Sequence, residues 1–148
     1  MALHPDLRAF IELLNSHGVD YVVVGAHAMA YHGCPRYTGD IDLFLRVSDE
    51  NAQRMERVIC AFGFKDTGLS ARDFSEEHQI IQLGFPPNRI DLLTTLTGVP
   101  FDDAWSGAVS ARLEGLPVRI LSREHLIVNK KALGRAKDLA DLEWLGGE

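Results

Sequence analysis

The chain has 148 residues and a formal net charge of −6, which comes from 15 basic and 21 acidic residues. Hydrophobic residues make up 46% of the chain and charged residues 24%, the balance of an ordinary globular protein. These values exclude intrinsic disorder, a collagen-like repeat and a disulfide scaffold. The acidic balance and the 8% aromatic content also argue against a module that wraps nucleic acid. The length predicts one domain over residues 1–148.

No segment of the sequence predicts a membrane span or a signal peptide. The longest uncharged run, residues 21–35, is shorter than the roughly 18 apolar residues that a span requires. The first residues lack the basic-then-apolar order of a signal peptide. Cys34 and Cys60 form no Cys-x-x-Cys pair and are interpreted as free thiols of a reducing compartment. We therefore expect a cytoplasmic protein with no membrane partner.

The N-terminal half alternates between helical and strand-like patterns. Apolar residues at helical spacing predict amphipathic helices, and short β-branched runs predict strands. In chain order we predict a helix over 5–17, a strand over 21–24, a short helix over 27–32, a strand over 39–46, and a helix that Ser48 caps and Gly63 ends.

The C-terminal half predicts two hairpins followed by helices. An irregular segment over 66–77 precedes the first hairpin, which has strands over 79–85 and 89–93 and a turn at 86–88. A helical turn over 101–105 and a second hairpin of strands 109–113 and 116–120 follow. The chain ends with a helix from Arg123, capped by Ser122 and interrupted at Gly134, and a last helix that carries Leu139, Leu142 and Leu145. This order predicts an α+β fold with a mixed β-sheet flanked by helices.

Two acidic residues stand at alternate positions of the second strand. Side chains at i and i+2 of a strand point to one face, so Asp40 and Asp42 lie side by side. Unpaired carboxylates at this spacing repel each other, and a hard divalent cation such as Mg²⁺ relieves the repulsion. The alternative interpretation is a pair of surface acids on a half-exposed strand.

A third acid, Asp91, interrupts the apolar strand 89–93. If that strand lies beside the strand of Asp40 and Asp42, three carboxylates converge and can hold two Mg²⁺ ions for an in-line displacement at phosphorus. The alternative is an acid at a strand end that bonds to the backbone or to Arg89.

Gly25 and Ala26 form a small-residue turn between the first strand and the helix that follows. Such a turn directs backbone N–H groups outwards, where they suit phosphate oxygens. Any tight strand-to-helix turn favours glycine, so the turn is informative only because the acid pair follows on the next strand.

Taken together, these motifs resemble the polymerase-beta-like nucleotidyltransferase superfamily. That family carries a Gly-Gly or Gly-Ser turn, an Asp-x-Asp pair and a third Asp on a later strand. The similarity is greatest to small bacterial nucleotidyltransferases, including toxins of abortive-infection toxin–antitoxin systems, which show an Arg-x-Thr before Asp-Ile-Asp, as Arg36 and Thr38 do here. It covers a core over about 20–95 and, more loosely, a helical part over about 122–146 with the basic and acidic motif of Lys130, Lys131, Arg135, Lys137, Asp138 and Asp141.

The resemblance implies transfer of a nucleoside monophosphate from an NTP to an acceptor hydroxyl. Asp40, Asp42 and Asp91 would be the catalytic metal ligands for two Mg²⁺ ions, with Mn²⁺ as a substitute. The nucleotide-binding residues would be Gly25, Ala26, Arg36, Thr38, Lys130 and Lys137. Each of the last four has an alternative, which is a solvated helix face for the lysines, an ion pair for Arg36 and a turn-stabilising hydroxyl for Thr38.

The sequence leaves several functional questions open. Ala26 stands where the family has Gly or Ser, which favours a second hypothesis of a catalytically weak module that binds a nucleotide or a partner protein. The acceptor can be a tRNA, a protein or a small molecule, and a homodimer or a protein partner could complete the site. His27 could touch a phosphate, but packing or solvent exposure is the preferred interpretation, and Trp105 and Trp144 are expected in the core.

Overall fold

A computed structural model describes residues 4–34, 39–63, 68–84 and 88–146 of the chain. Its elements in chain order are α1 (Pro5–Ser16), β1 (Tyr21–Val24), α2 (Gly25–Tyr31), β2 (Ile41–Leu45), α3 (Asp49–Phe62), a 3₁₀ helix (Ala71–Phe74), β3 (Ile80–Leu83), β4 (Ile90–Leu93), α4 (Phe101–Gly107), β5 (Val109–Leu113), β6 (Leu116–Ile120), α5 (Arg123–Leu133) and α6 (Ala136–Leu145). This succession agrees with the predicted α+β fold.

The strands form one mixed sheet in the order β3-β4-β2-β1-β6-β5. β1 runs antiparallel to β2, whereas β2 and β4 are parallel. β3–β4 and β5–β6 are the two predicted hairpins, and both are antiparallel. The parallel pair matters most for the site, because it joins the strand of Asp42 to the strand of Asp91.

The core forms because each element buries one apolar face. α1 contributes Leu7, Phe10, Ile11 and Leu14, and α3 contributes Ala52, Met55, Val58 and Ile59. These side chains join those of β1 and β2 in one cluster, and Phe10 meets Phe62 edge to face with ring centroids 5.2 Å apart. Full burial of one such side chain contributes about 1.5–3 kcal/mol.

Local signals in the sequence set the helix boundaries. The Ser48 side chain accepts the Asn51 backbone N–H and caps α3, and the Ser122 side chain does the same for α5 by accepting the His125 N–H. α3 ends at Gly63, whose φ of 104° is a left-handed conformation that glycine adopts without strain.

Several predictions for the second half need correction. The irregular segment over 66–77 contains the 3₁₀ helix, where the Ser70 N–H bonds the Asp73 carboxylate in a capping box. The single turn over 101–105 is the longer helix α4. Pro86 and Pro87 of the predicted turn lie outside the described residues.

The last helix is rotated relative to the prediction. Leu142 and Leu145 are buried as expected, but Leu139 is 56% exposed and Trp144 is 66% exposed. The buried face of α6 instead includes Asp138 and Asp141, because these carboxylates meet a cation of α5. Within the described ranges, no helix combines the length and the apolar character that crossing a membrane would require.

Candidate active site

Four residues form a row across the sheet at the point where β1 ends. The strand register sets Val24 opposite Asp42, Asp42 opposite Asp91, and Asp91 opposite Gln82. Directly opposed residues of neighbouring strands direct their side chains to the same face. The prediction that the Asp91 strand pairs beside the Asp-x-Asp strand is therefore confirmed, and the Asp42 and Asp91 side chains are neighbours.

Asp42 has an unusual electrostatic environment. Burial, together with the charge and the hydrogen bond of the Asp91 carboxyl, raises the pKa of Asp42 from 3.8 to about 6. Asp40 adds to this rise in pKa, and Arg89 opposes it. Two carboxylates in hydrogen-bond contact require either a shared proton or a cation between them.

Arg89 contacts the other two acids of the predicted site. Its Nε and Nη2 donate to the two carboxylate oxygens of Asp91 at 2.7 and 3.0 Å. Its backbone N–H donates to Asp40 Oδ1 at 2.8 Å, and its Nη2 lies 3.7 Å from Asp40 Oδ2. The alternative in which Asp91 bonds to Arg89 is thus realised here, together with the proximity of Asp91 to Asp42.

Gly25 is fixed by its contact with Asp42. Its φ is +67°, in the left-handed region, and a Cβ atom placed on it would lie only 2.2 Å from Asp42 Oδ2. No other residue type fits this position without moving the carboxylate. The turn is therefore in direct contact with Asp42.

A cavity of about 470 Å³ lies over this face of the sheet, and we call it the acid cavity. Six of the predicted site residues line it, namely Gly25, Ala26, Asp42, Asp91, Lys130 and Lys137. Asp40 is not among the described residues that line it. Arg36 and Thr38 lie outside the described residues, so their predicted role in nucleotide binding stays a prediction.

Lys130 is buried in an ionic cluster rather than on a solvated helix face, so that alternative is wrong for this residue. Its Nζ lies 2.9 Å from Asp141 Oδ2 and 3.5 Å from Asp138 Oδ1, and both acids are buried. Arg135 hydrogen-bonds the second oxygen of Asp138 at 2.6 Å and holds the pKa of that carboxyl at about 2. The cluster joins α5 to α6 at the wall of the acid cavity.

Lys137 differs from Lys130 because it is exposed while it lines the same cavity. Gln82 and Asn129, which were not predicted as site residues, also line the cavity, as does Arg135 of the predicted basic and acidic motif. Gln82 becomes recognisable only from the β3–β4 register, and Asn129 from its helical spacing to Leu126 and Leu133.

Of the two interpretations preferred for His27, packing or solvent exposure, the structure shows packing, since this side chain is 6% exposed and burial lowers its pKa. Trp105 is only partly buried, and it stacks on Phe101 with ring centroids 5.8 Å apart.

The chemistry of the acid pair suits a hard cation, because Asp42 and Asp91 offer only oxygen ligands and repel each other without one. Among the described residues, no group of three His, Cys, Asp or Glu side chains is arranged to hold a metal ion. Arg89 contacts Asp91 and Asp40. Asp42 and Asp91 are thus two oxygen donors of the type that a divalent cation takes.

Comparison with solved structures identifies the fold. A candidate nucleotidyltransferase from Thermotoga maritima aligns with a TM-score of 0.56 and 22% identity over 97% of this chain and 95% of its own. An antigenic nucleotidyltransferase-like protein from Paracoccidioides brasiliensis aligns with a TM-score of 0.52 and 17% identity over 97% of this chain and 75% of its own. The chain therefore has a nucleotidyltransferase fold.

The sequence identifies the family. Residues 4–146 match the family described as "Nucleotidyl transferase of unknown function (DUF2204)", and the chain belongs to it. No match to the chain is found among curated proteins.

Proposed function

We propose that this protein is a Mg²⁺-dependent nucleotidyltransferase that moves the nucleoside monophosphate of an NTP onto an acceptor hydroxyl. The observation that carries this proposal is the pairing of Asp42 with Asp91 on adjacent parallel strands, in contact with the Gly25 turn. In the proposed reaction a bond forms between the acceptor oxygen and the α-phosphorus. The bond from the α-phosphorus to pyrophosphate breaks, pyrophosphate leaves, and the acceptor hydroxyl releases its proton to solvent.

The residues of the acid cavity divide into an acidic side and a basic side. Asp42 and Asp91 lie on the sheet, whereas the helices α5 and α6 supply Lys130 and Lys137, together with Asp141, which pairs with Lys130. We assign the triphosphate tail to the basic side, with the turn of Gly25 and Ala26 beside it. Lysine ammonium groups in a partly enclosed cavity neutralise phosphate charge more strongly than they do in bulk water.

Asp42 and Asp91 would hold the cation, and Asp40, whose carboxylate accepts the Arg89 backbone N–H, would be the third ligand. When bound, Mg²⁺ supplies electrostatic stabilisation of the charge that develops on the transferring phosphoryl group. The contribution of the chain itself is to position the reactants, since phosphoryl chemistry depends mainly on alignment and charge.

A transfer assay tests the proposal directly. The protein is incubated with Mg²⁺ and each α-labelled NTP, with tRNA, an aminoglycoside or the protein itself as acceptor, and labelled acceptor and pyrophosphate are measured. We expect labelled acceptor and pyrophosphate to form in equal amounts, and the wild type to match the control variant Asp103→Asn. Asp103 is an exposed acid on α4. Asp42→Ala should form neither product, and transfer that persists in this variant would refute the proposed site.

The second candidate function is a catalytically weak module that binds a nucleotide or a partner protein. Ala26 favours it, because the hydroxyl of a Gly-Ser turn is missing, although backbone N–H groups remain. Mg²⁺-dependent NTP binding without transfer to any acceptor would support this candidate over the enzyme.

The similarity to abortive-infection toxins extends the proposal to a defence setting. Induced expression of the wild type in bacteria should then arrest growth, and expression of Asp42→Ala should not. Equal growth in both cultures would remove the toxin setting while leaving the transfer reaction to its own assay.

A further inference from the structure

Arg89 contacts two of the three proposed metal ligands, Asp91 through its side chain and Asp40 through its backbone N–H. The guanidinium donates hydrogen bonds to both oxygens of Asp91, and the backbone N–H donates one to the Asp40 carboxylate. The Asp91 side chain is 12% exposed and the Arg89 side chain 27%, so water shields this ion pair only in part. The proposed metal ligands therefore already have a cation beside them.

We propose that Arg89 is a built-in counter-cation that competes with the divalent metal for Asp91 and so sets the affinity of the site. This inference rests on the proposed function, because it assumes a cation between Asp42 and Asp91. It adds that the free protein binds a metal ion weakly, since the guanidinium charge at Asp91 opposes a second cation there.

The geometry sets the two cations against each other. The bidentate arginine pair occupies one lone pair on each oxygen of Asp91, and these lone pairs are not available to a metal ion. A guanidinium within hydrogen-bond distance of Asp91 also repels a second cation placed there. Arg89 and a metal ion consequently compete, and only the backbone contact from Arg89 to Asp40 is compatible with both states.

Arg89 is also the partner that can move. Its side chain is 27% exposed, whereas Asp91 belongs to β4 and is held by pairing on both sides. Movement of the guanidinium towards solvent leaves the strands in place. A ligand that brings phosphate oxygens with the metal compensates the lost ion pair, because Mg²⁺ prefers a few carboxylates together with substrate phosphates. Metal and triphosphate should therefore bind together.

The test measures binding of Mn²⁺ alone, from the electron paramagnetic resonance signal of the free ion. The variants are Arg89→Gln, which removes the charge, and Arg89→Lys, which keeps the charge but cannot form the bidentate hydrogen bonds to Asp91. Arg72→Gln is the matched control, because Arg72 is 87% exposed and pairs only loosely, at 3.6 Å, with Glu76. Thermal unfolding without divalent ions confirms that each variant is folded.

We expect Arg89→Gln to bind Mn²⁺ about ten- to a hundredfold more tightly than the wild type, the factor that charged hydrogen bonds of this kind correspond to. Arg89→Lys should fall between them, and Arg72→Gln should match the wild type. Unchanged or weaker Mn²⁺ binding by Arg89→Gln overturns the inference while transfer activity still supports the proposed function. Absence of Mn²⁺ binding in every variant, even with an NTP present, overturns the metal site and this inference together.

Discussion

Replacement of Asp42 by asparagine should stabilise the protein at neutral and alkaline pH while it destroys the site. The pKa of Asp42 is about 6 in the folded protein against 3.8 ordinarily. Between these two values the folded state binds more protons than the unfolded state. Stability therefore falls as the pH rises from 3.8 through 6, and the loss persists above pH 6.

The size of the effect follows from the shift. About two pKa units correspond to at most about 3 kcal/mol, and partial solvation reduces this to about 1–3 kcal/mol. Asparagine does not ionise, so Asp42→Asn avoids this loss at pH 8 and shows no advantage below pH 4. The amide also donates a hydrogen bond to Asp91, which replaces the repulsion between the two carboxylates.

Urea denaturation at pH 4, 6 and 8 with a chelator present measures the free energy of unfolding. Asp103→Asn removes one exposed acid from α4 and controls for the change in net charge. The reasoning is refuted if Asp42→Asn is no more stable than the wild type at pH 8. It is equally refuted if the advantage is the same at pH 4 as at pH 8.

Three further substitutions separate the parts of the site. Gly25→Ala should abolish nucleotide binding in calorimetry and cost about 1–3 kcal/mol, because φ is +67° and the new Cβ meets Asp42; wild-type affinity would contradict that close contact. Lys130→Ala should weaken triphosphate binding and destabilise the protein by about 3–5 kcal/mol in urea, since it leaves Asp138 and Asp141 buried without this cation; a loss below about 1 kcal/mol would disprove the ionic cluster. Lys137→Ala should leave stability within about 0.5 kcal/mol, because the side chain is exposed, and should lower NTP affinity about tenfold without changing nucleoside affinity; equal losses for both ligands would place Lys137 away from the phosphates.

Much of the fold could be predicted because its signals are local. Val22, Val23 and Val24 form a β-branched run, Ser48 and Ser122 cap helices, and Gly63 and Gly134 end them in left-handed conformations. The pairing of the Asp91 strand with the Asp42 strand is a long-range contact, and it was predicted from the chemistry of their acids rather than from a local signal. Two acids in otherwise apolar strands make sense when those strands are neighbours; Asp40 lies just before β2, which begins at Ile41 and not at residue 39 as predicted.

The C-terminal helices show where the pattern of apolar residues misleads. Leu126, Asn129 and Lys130 share the buried face of α5, and Asp138, Asp141 and Leu142 share that of α6. The spacing is helical on both faces, but charged residues occupy positions where apolar ones are expected. Because the charges neutralise one another across the two helices, burial was decided by a pairing that neither segment reveals alone.

The acid cluster shows a second limit. The sequence places Asp42 and Asp91 on strands, but the strand register that sets them opposite each other is a property of the whole sheet. Arg89 lies two residues from Asp91 on the same face, so the spacing permits the ion pair without requiring it. Only the three-dimensional arrangement shows that Arg89 also contacts Asp40.

Calorimetric titration of NTPs, with and without Mg²⁺, tests the central claim most directly. The account predicts that the wild type and Asp103→Asn bind an NTP only with Mg²⁺, and that Asp42→Ala does not bind it under either condition. Equal NTP binding by Asp42→Ala, or binding by the wild type that is indifferent to Mg²⁺, would contradict a metal–triphosphate site at Asp42 and Asp91.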